Sequence, residues 1–269
     1  MFTFSQSSTA ANAQPLPWAW VIVPALVLAG LAVMLIPADT NREVFLRLNG
    51  AAQGWAAPST WSAVTLTGSV LGAIALLAPS LKTQPRWLAS AFLAAPLAIL
   101  FSQGGKRYFE EMRPAGLLPA ESFTLIGEKL YVYSFPSGHA TTAFVAAAAV
   151  ILAWPTPGRR GLAAVGVLLL ASLVALSRIA VGAHWPVDVA TGAAGGWLCG
   201  TLGVALSGRL RFWQRESGVR IMATCALISS LALLVLDLGY PAARLYQIGL
   251  GAWGIGGAAA ALMRDRSIR

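Results

Sequence analysis

The sequence predicts an all-α protein, a polytopic bundle of transmembrane helices. Hydrophobic residues make up 57% of the 269 residues and charged residues only 11%, against about 25% charged residues in an average soluble domain. Several apolar runs reach the roughly 20 residues that a helix needs to cross a hydrocarbon core about 30 Å thick. Because backbone groups in lipid must be hydrogen-bonded within their own segment, such runs form helices rather than open sheets.

Eight apolar stretches are candidate spans, in order residues 18–36, 62–80, 87–103, 139–154, 161–177, 186–206, 220–236 and 245–262. After the first span, residues 37–61 contain NREVFLRLNGAAQGW, which predicts an interfacial amphipathic helix. Residues 104–138 form the longest polar connection. In the sixth span, Gly192, Gly196 and Gly200 recur every four residues and predict the close approach of another helix.

The charges predict an orientation rather than a nucleic-acid partner. The net charge is +9, and basic loops of a membrane protein tend to stay in the cytoplasm. With a cytoplasmic N-terminus and eight spans, both termini lie inside. Eleven of the nineteen basic residues then lie inside as well: Lys82, Arg86, Arg159, Arg160, Arg209, Arg211, Arg215, Arg220, Arg264, Arg266 and Arg269.

The remaining general features exclude two other interpretations. Cys199 and Cys225 both lie inside apolar runs without the spacing of a zinc or redox motif, so we expect reduced packing residues. The segment before the first span has no Lys or Arg, and no small-x-small cleavage site follows the span. A removable signal peptide is therefore not expected, and the first helix stays.

Three clusters hold most of the unusual polar residues: KRYFEEMRP at residues 106–114, PSGH at 136–139 and SRIAVGAHWPVD at 177–188. In the predicted orientation all three lie at the outer ends of helices. We therefore expect them to face one another.

Two of the clusters provide cations that suit an anionic ligand. Lys106 and Arg113 offer an ammonium and a planar guanidinium fork, both of which bind phosphate oxygens well. Arg178 adds a second guanidinium at the end of the fifth span. These three side chains predict a site for a doubly charged oxyanion.

The PSGH cluster predicts a helix start at the same place. Ser137 is a good N-cap, so the backbone N–H groups of Gly138 and His139 would open the fourth span. The N-terminus of a helix attracts anions through its free N–H groups and its dipole. We therefore expect this end to add to the oxyanion site.

The two histidines of the chain carry the candidate chemistry. Asp188 follows His184 by one helical turn, and its carboxylate can accept the imidazole N–H and leave the other ring nitrogen bare. That arrangement makes a nucleophile. His139, when protonated, can give its proton to a leaving oxygen.

Each of these residues alone has a structural interpretation. A single histidine at a helix start is often a cap, a lone Lys or Arg at a span end can snorkel, and Asp188 would complement a helix dipole. The predicted topology nevertheless brings together, at the outer ends of the spans, both histidines, an aspartate and three cations. The combination favours a catalytic site.

The three clusters together resemble the phosphatase signature of the type-2 phosphatidic acid phosphatase superfamily. Its motifs read Lys, six residues, Arg-Pro; then Pro-Ser-Gly-His; then Ser-Arg, five residues, His, three residues, Asp, and each position has its match here in order. The resemblance covers residues 100–190 closely and 17–206 loosely. It implies a six-helix phosphatase core at residues 1–206. The chain departs from the usual six spans at 207–269, where the apolar runs predict two additional transmembrane helices and a short cytoplasmic tail.

The resemblance also implies roles for individual residues. By this likeness His184 attacks phosphorus and forms a phosphohistidine, Asp188 orients it, and His139 protonates the leaving group. The phosphoryl oxygens would be bound by Lys106, Arg113, Ser137, Gly138 and Arg178. No metal or cofactor is implied, and the sequence lacks an acidic cluster that could hold Mg²⁺.

The function expected from these motifs is hydrolysis of a lipid phosphate or diphosphate by an integral-membrane enzyme of the bacterial inner membrane. Its active site would face the periplasm, its partners would be the bilayer and the lipid, and no nucleic acid is expected. Undecaprenyl diphosphate is the leading substrate candidate. Phosphatidylglycerol phosphate, phosphatidate and lipid A remain open.

Three alternatives stay open at this point. A phosphohistidine can be taken by an alcohol as well as by water, so the chain could be a lipid phosphotransferase. Vanadium haloperoxidases resemble the same constellation, but those relatives are soluble. A transporter normally carries its charges near the bilayer midplane, whereas here they lie at span ends.

Overall fold

The computed structural model describes residues 16–263, which are mostly helical and contain no strand. The predicted all-α polytopic bundle is thereby confirmed. The helices, numbered along the chain, are α1 Trp18–Met34, α2 Ala38–Trp55, α3 Pro58–Thr67, α4 Val70–Leu77, α5 Pro85–Phe109, α6 Pro114–Leu117, α7 Gly138–Leu152, α8 Arg160–Ala180, α9 Pro186–Leu210, α10 Glu216–Val235 and α11 Arg244–Leu262. The expectation about a signal peptide and the three last arginines lie outside the described residues.

Five helical segments within residues 16–263 are long and apolar enough to cross a membrane: Pro85–Leu117, Arg160–Ala180, Pro186–Leu210, Glu216–Val235 and Pro241–Leu262. Two bent pairs, α1 with α2 and α3 with α4, raise the number to as many as seven. The remaining predicted span is α7, which has 15 residues. It measures about 22 Å, less than the roughly 30 Å of a hydrocarbon core.

Helix α7 lies at the centre of the bundle and packs most extensively against α9. The glycine stripe of α9 allows this contact. A Cβ atom added at Gly196 would lie 2.3 Å from the Thr141 carbonyl oxygen, and one at Gly192 would lie 2.5 Å from the Ser137 carbonyl oxygen. The close approach predicted for this stripe is confirmed, and its partner is the helix that begins with PSGH.

The second predicted span, residues 62–80, is broken in the structure. Helices α3 and α4 meet at an angle of 75° around Gly68 and Ser69. Ser69 caps α4 by accepting a hydrogen bond from the Gly72 N–H at 2.9 Å, as a serine at an N-cap commonly does. Gly68 fits against His139 and Val174, where a Cβ atom would lie 2.4 Å from the valine side chain.

The amphipathic helix predicted within residues 37–61 corresponds to α2, which bends from α1 by 105°. Asn49 of α2 is buried, donates to the carbonyls of Thr124, Ile179 and Ala180, and accepts from the Thr124 N–H. Helix α2 is therefore tied to the end of α8 and to the long connection. Its position at a membrane interface remains a prediction.

The last two helices, α10 and α11, pack on each other and on α4 with the turn that follows it. Their shared core includes Leu81 of that turn and Leu88 of α5, together with Met222, Ala226 and Ala258 of the C-terminal pair. Gly257 lies directly against Pro79. The division predicted after residue 206 stays a prediction, and α9 itself continues to Leu210.

Candidate active site

His184 lies in the turn between α8 and α9 and is 2% exposed. Its Nδ1 atom is 3.4 Å from Oδ2 of Asp188, in the first turn of α9, and its Nε2 atom is 3.4 Å from Nη1 of Arg113. Because a guanidinium only donates hydrogen bonds, these contacts assign the lone pair to Nε2 and the proton to Nδ1. The structure therefore has a bare ring nitrogen that faces a cation.

The Asp188 carboxylate is held by two further donors. Its Oδ2 atom accepts from the Ser134 hydroxyl at 2.5 Å and from the Trp185 N–H at 2.9 Å. Ser134 is fully buried and was not among the predicted site residues. Its position in the polar turn just before PSGH is the signal that could have identified it.

Lys106 and Arg113 converge on one backbone oxygen. Lys106 Nζ donates to the Tyr133 carbonyl at 2.8 Å, and Arg113 Nη2 donates to the same oxygen at 3.3 Å. Arg113 also donates to the carbonyls of Val132 at 3.0 Å and Ala183 at 2.9 Å. Lys106 lies in the last turn of α5, which runs beyond the predicted end at residue 103. The two cations are thus brought together as expected.

The PSGH segment begins α7, as its sequence predicts. The Ser137 side chain accepts from the Ala140 N–H at 3.5 Å, and its backbone N–H donates to the Asp188 carbonyl at 3.0 Å. These contacts join the start of α7 to the first turn of α9. Gly138 and His139, both half-buried, are the first two residues of α7.

Arg178 lies in the last turn of α8 and is 4% exposed. Its Nη1 atom donates to the hydroxyls of Thr65 and Tyr240, with a distance of 2.8 Å to Tyr240. Its buried Nε atom has no hydrogen-bond partner among residues 16–263. Thr65 and Tyr240 were not predicted, although the predicted topology already put the loop around Tyr240 on the same side as the three clusters.

The cations act on His184 electrostatically. Burial lowers the pKa of His184 well below its ordinary value of 6.5, and the nearby charges of Arg113, Arg178, Lys106 and His139 lower it further. A histidine in this environment is neutral at pH 7. All eight predicted site residues thus lie in one cluster or at the helix end beside it. The candidate nucleophile, Nε2 of His184, carries no proton in this arrangement.

An apolar cavity of about 290 Å³ extends from this cluster between α4, α5 and α7. Its polar end is formed by His139, Thr142 and Gln103, and its far end by Leu77 and Leu88. Between Gln103 and Leu88 helix α5 rises about 22 Å. The cavity thus runs from the polar cluster into the apolar interior between these helices.

The next feature is the set of side chains that could coordinate a metal ion. Within the described part of the chain, no group of three or more His, Cys, Asp or Glu residues is arranged to hold one. The positive charge of the site comes from Lys106, Arg113 and Arg178 instead.

Comparisons with known proteins agree with the sequence motifs. Residues 86–212 match the model of the PAP2 superfamily. An undecaprenyl-diphosphatase from Sulfolobus acidocaldarius is 32% identical over 105 residues, which are 39% of this chain and 46% of that protein. The aligned part thus spans less than half of that relative's length.

Two crystal structures share the fold. LpxE from Aquifex aeolicus has a TM-score of 0.52 and 26% identity, and the match covers 61% of this chain and 93% of that one. A PAP2-type phosphatidylglycerolphosphate phosphatase from Bacillus subtilis has a TM-score of 0.52 and 21% identity, over 71% and 96% of the two chains. The predicted resemblance to the type-2 phosphatidic acid phosphatase superfamily is confirmed.

Proposed function

Since residues 86–212 match the PAP2 superfamily, we propose that this chain is an integral-membrane phosphatase that hydrolyses a lipid phosphate or diphosphate without a metal ion. The observation that carries the proposal is the environment of His184. Its Nδ1 atom faces Asp188, and its Nε2 atom faces Arg113. A neutral imidazole oriented in this way is a nucleophile aimed at an anion-binding site.

The proposed reaction has two steps. His139 takes up a proton when the anionic substrate binds beside it. Nε2 of His184 then bonds to phosphorus while the bond from phosphorus to the lipid oxygen breaks, and the proton of His139 goes to that oxygen. A water molecule, deprotonated by His139, then attacks the phosphohistidine and releases inorganic phosphate. Each step returns the proton that the other uses, so both histidines end as they began.

Cations and N–H groups would stabilise the charge that develops on the phosphoryl oxygens. We assign this role to Lys106, Arg113, Arg178, the Gly138 N–H and the helix end capped by Ser137. Preorganised donors of this kind contribute several kcal/mol to a transition state in a site shielded from water. They supply the positive field that a metal ion provides in other phosphatases.

The apolar cavity supports a lipid as the substrate. It begins at His139 and is lined by the apolar faces of α4, α5 and α7, so a hydrocarbon chain can lie there while its phosphate reaches the cations. Undecaprenyl diphosphate is the first candidate, in keeping with the name of the Sulfolobus relative. Phosphatidylglycerol phosphate is the second, in keeping with the Bacillus structure of the same fold.

We further propose that the chain resides in a bacterial inner membrane with the site facing the periplasm. The support is the excess of basic residues in the loops opposite the site. Hydrolysis there would act on lipid phosphates of the outer leaflet.

The test is phosphate release by the purified protein in detergent from undecaprenyl diphosphate, phosphatidylglycerol phosphate, phosphatidate and lipid A, each with and without EDTA. We expect turnover that EDTA leaves unchanged and that orthovanadate inhibits. His184→Ala should lower the rate by about 10⁴-fold or more, because no other group of the site can replace the attacking nitrogen.

Two outcomes would contradict the proposal. Strict dependence on Mg²⁺ with pure substrate would remove the metal-independent mechanism, and a folded His184→Ala variant with a near-native rate would remove the phosphohistidine. Lys106→Ala should also lower the rate, and Arg107→Ala is its matched control, since Arg107 lies beside Lys106 and is exposed. Transfer of phosphate to an added acceptor lipid in preference to water would instead indicate a phosphotransferase.

A further inference from the structure

We propose that Tyr240 is a positioning residue for Arg178, and that it is the contribution of the two C-terminal helices to the reaction. The inference rests on the proposed function, in which Arg178 binds a phosphoryl oxygen. The two helices then do more than enlarge the bundle, because the loop between them completes the anion site.

The contact is direct and local to the guanidinium. The Tyr240 hydroxyl accepts from Nη1 of Arg178 at 2.8 Å, and the centre of its ring lies 6.0 Å from the guanidinium carbon. Thr65 of α3 accepts from the same nitrogen. Two hydroxyls therefore hold Nη1 of the guanidinium in place, while Nε is buried and has no hydrogen-bond partner within residues 16–263.

Tyr240 is itself held firmly. Its ring packs on Gly127, where a Cβ atom would lie 2.6 Å from Cε1 of the tyrosine, and Gly127 has a positive φ of 88°. Only glycine adopts such a backbone conformation without strain. The N–H of Gly239 donates to the Asp237 carboxylate at 2.8 Å. The long connection and the C-terminal loop thus clamp the ring between them.

The end of α10 is fixed from the other side. Gln247 of α11 donates to the carbonyls of Leu233 and Leu236 at 2.6 and 2.7 Å, and Arg244 donates to Leu234 at 2.6 Å. The last carbonyls of a helix otherwise have no partner within it. These bonds make the loop between α10 and α11 a rigid support for Tyr240.

Thr65 and Tyr240 both lie outside the part of the chain that matches the superfamily. That match ends at residue 212, and it begins at residue 86, after Thr65. Arg178 lies inside the match, whereas both of its hydroxyl partners lie outside. The structure therefore joins an arginine inside the matched region to two hydroxyl partners that lie on either side of that region.

The test is Tyr240→Phe, which keeps the ring and removes only the hydroxyl. We expect kcat/KM to fall about tenfold, the loss typical of a hydrogen bond to a charged group, and the inhibition constant of orthovanadate to rise by a similar factor. Tyr246→Phe is the matched control. The Tyr246 hydroxyl also joins α11 to α3, through Thr67 at 2.6 Å, but the bond does not involve Arg178.

A double-variant comparison separates positioning from general stability. In an Arg178→Lys background, Tyr240→Phe should change kcat/KM and vanadate inhibition less than twofold, since the partner of the hydroxyl is gone. Equal losses in both backgrounds would overturn the inference. So would wild-type kinetics in Tyr240→Phe, or equal losses in Tyr240→Phe and Tyr246→Phe.

Failure of the proposed function has a different signature. Wild-type protein that releases phosphate from no lipid of the panel would overturn that function while leaving anion binding measurable. Thermal stabilisation of the detergent-solubilised protein by orthovanadate then tests Tyr240 on its own. A smaller shift in Tyr240→Phe than in Tyr246→Phe supports the inference, and equal shifts overturn it.

Discussion

The two ring nitrogens of His184 face opposite charges, and burial keeps the ring neutral. This state has a consequence for stability, because the unfolded chain takes up a proton near pH 6.5 whereas the folded chain takes it up only at lower pH. The contribution of His184 to stability is therefore complete above about pH 6.5 and is lost as the pH falls through the folded value.

We predict that His184→Gln, which cannot titrate, flattens the pH dependence of stability. Thermal unfolding midpoints in detergent between about pH 8 and 5 would be compared for wild type and variant. The wild type should lose more stability on acidification. Parallel curves for the two proteins would show that His184 is protonated equally in both states.

We predict that the effect of His139→Ala depends on the leaving group. Acid assistance typically contributes about 10²–10⁴-fold, and a leaving oxygen that is already acidic needs less of it. The loss should therefore be large for an alkyl phosphate and small for an aryl phosphate with the same chain. Equal losses for the two substrates would assign His139 a role in binding rather than proton transfer.

At the scale of elements, the close contact between α7 and α9 positions the start of α7 against the first turn of α9. We predict that Gly196→Ala destabilises the protein by about 1–3 kcal/mol, the usual cost of overpacking, because the added Cβ would meet the Thr141 carbonyl. Thermal unfolding and turnover would be measured together. Gly256→Ala on α11, whose Cβ would meet nothing within 4 Å, should leave both unchanged or raise stability.

A low unfolding midpoint in Gly256→Ala equal to that of Gly196→Ala would contradict this interpretation. The loss would then reflect any added methyl group in a glycine-rich helix rather than the contact between α7 and α9. The control is informative because both positions are helical glycines and receive the same substitution.

Most helices could be predicted from the sequence because hydrophobic length decides them. The break at Gly68 could not, since the run from 62 to 80 holds no charged residue and a single glycine is tolerated in such a helix. The break depends on contacts of Gly68 with His139 and Val174, which are distant in sequence. The separate helix after the first span could be predicted, because the polar residues of NREVFLRLNGAAQGW interrupt the apolar run.

The candidate site could be predicted as far as the motifs extend. The four-residue spacing puts Asp188 one helical turn after His184, and the apolar run after PSGH puts Ser137 at a helix start. Local geometry of this kind can be predicted from a sequence. Ser134, Thr65 and Tyr240 were missed because their roles depend on tertiary contacts. No local pattern indicates that a tyrosine 62 residues after Arg178 will meet its guanidinium.

At the scale of the whole molecule, the loop charges predict an orientation in the membrane. Arg86 and Arg160 are partly used inside the fold, where they donate to Ser207 and to the Trp154 carbonyl. Both partners are neutral, so the two arginines keep their charges, and three more of the eleven basic residues lie outside residues 16–263. The prediction of a cytoplasmic N-terminus rests on the summed charge of these loops.

We predict that Thr156 faces the cytoplasm and Glu121 the opposite side. Both residues are exposed, whereas Cys199 is buried and Cys225 exposed. In a variant without the two native cysteines, Glu121→Cys should react with an impermeant maleimide in intact cells, and Thr156→Cys should react only after lysis. The reverse pattern would put the active site in the cytoplasmic leaflet.

The wide spacing of the partners of Arg178 also bears on how the protein is made. Thr65 precedes Arg178 by 113 residues, and Tyr240 follows it by 62. At a synthesis rate of about 5–20 residues per second, several seconds pass after Arg178 leaves the ribosomal tunnel before Tyr240 can reach it. During that interval the nascent chain would have both histidines of the proposed site but an incompletely oriented arginine. Full phosphatase activity would thus be delayed until the last hairpin has entered the membrane, so that a chain cut short by failed translation stays a poor hydrolase.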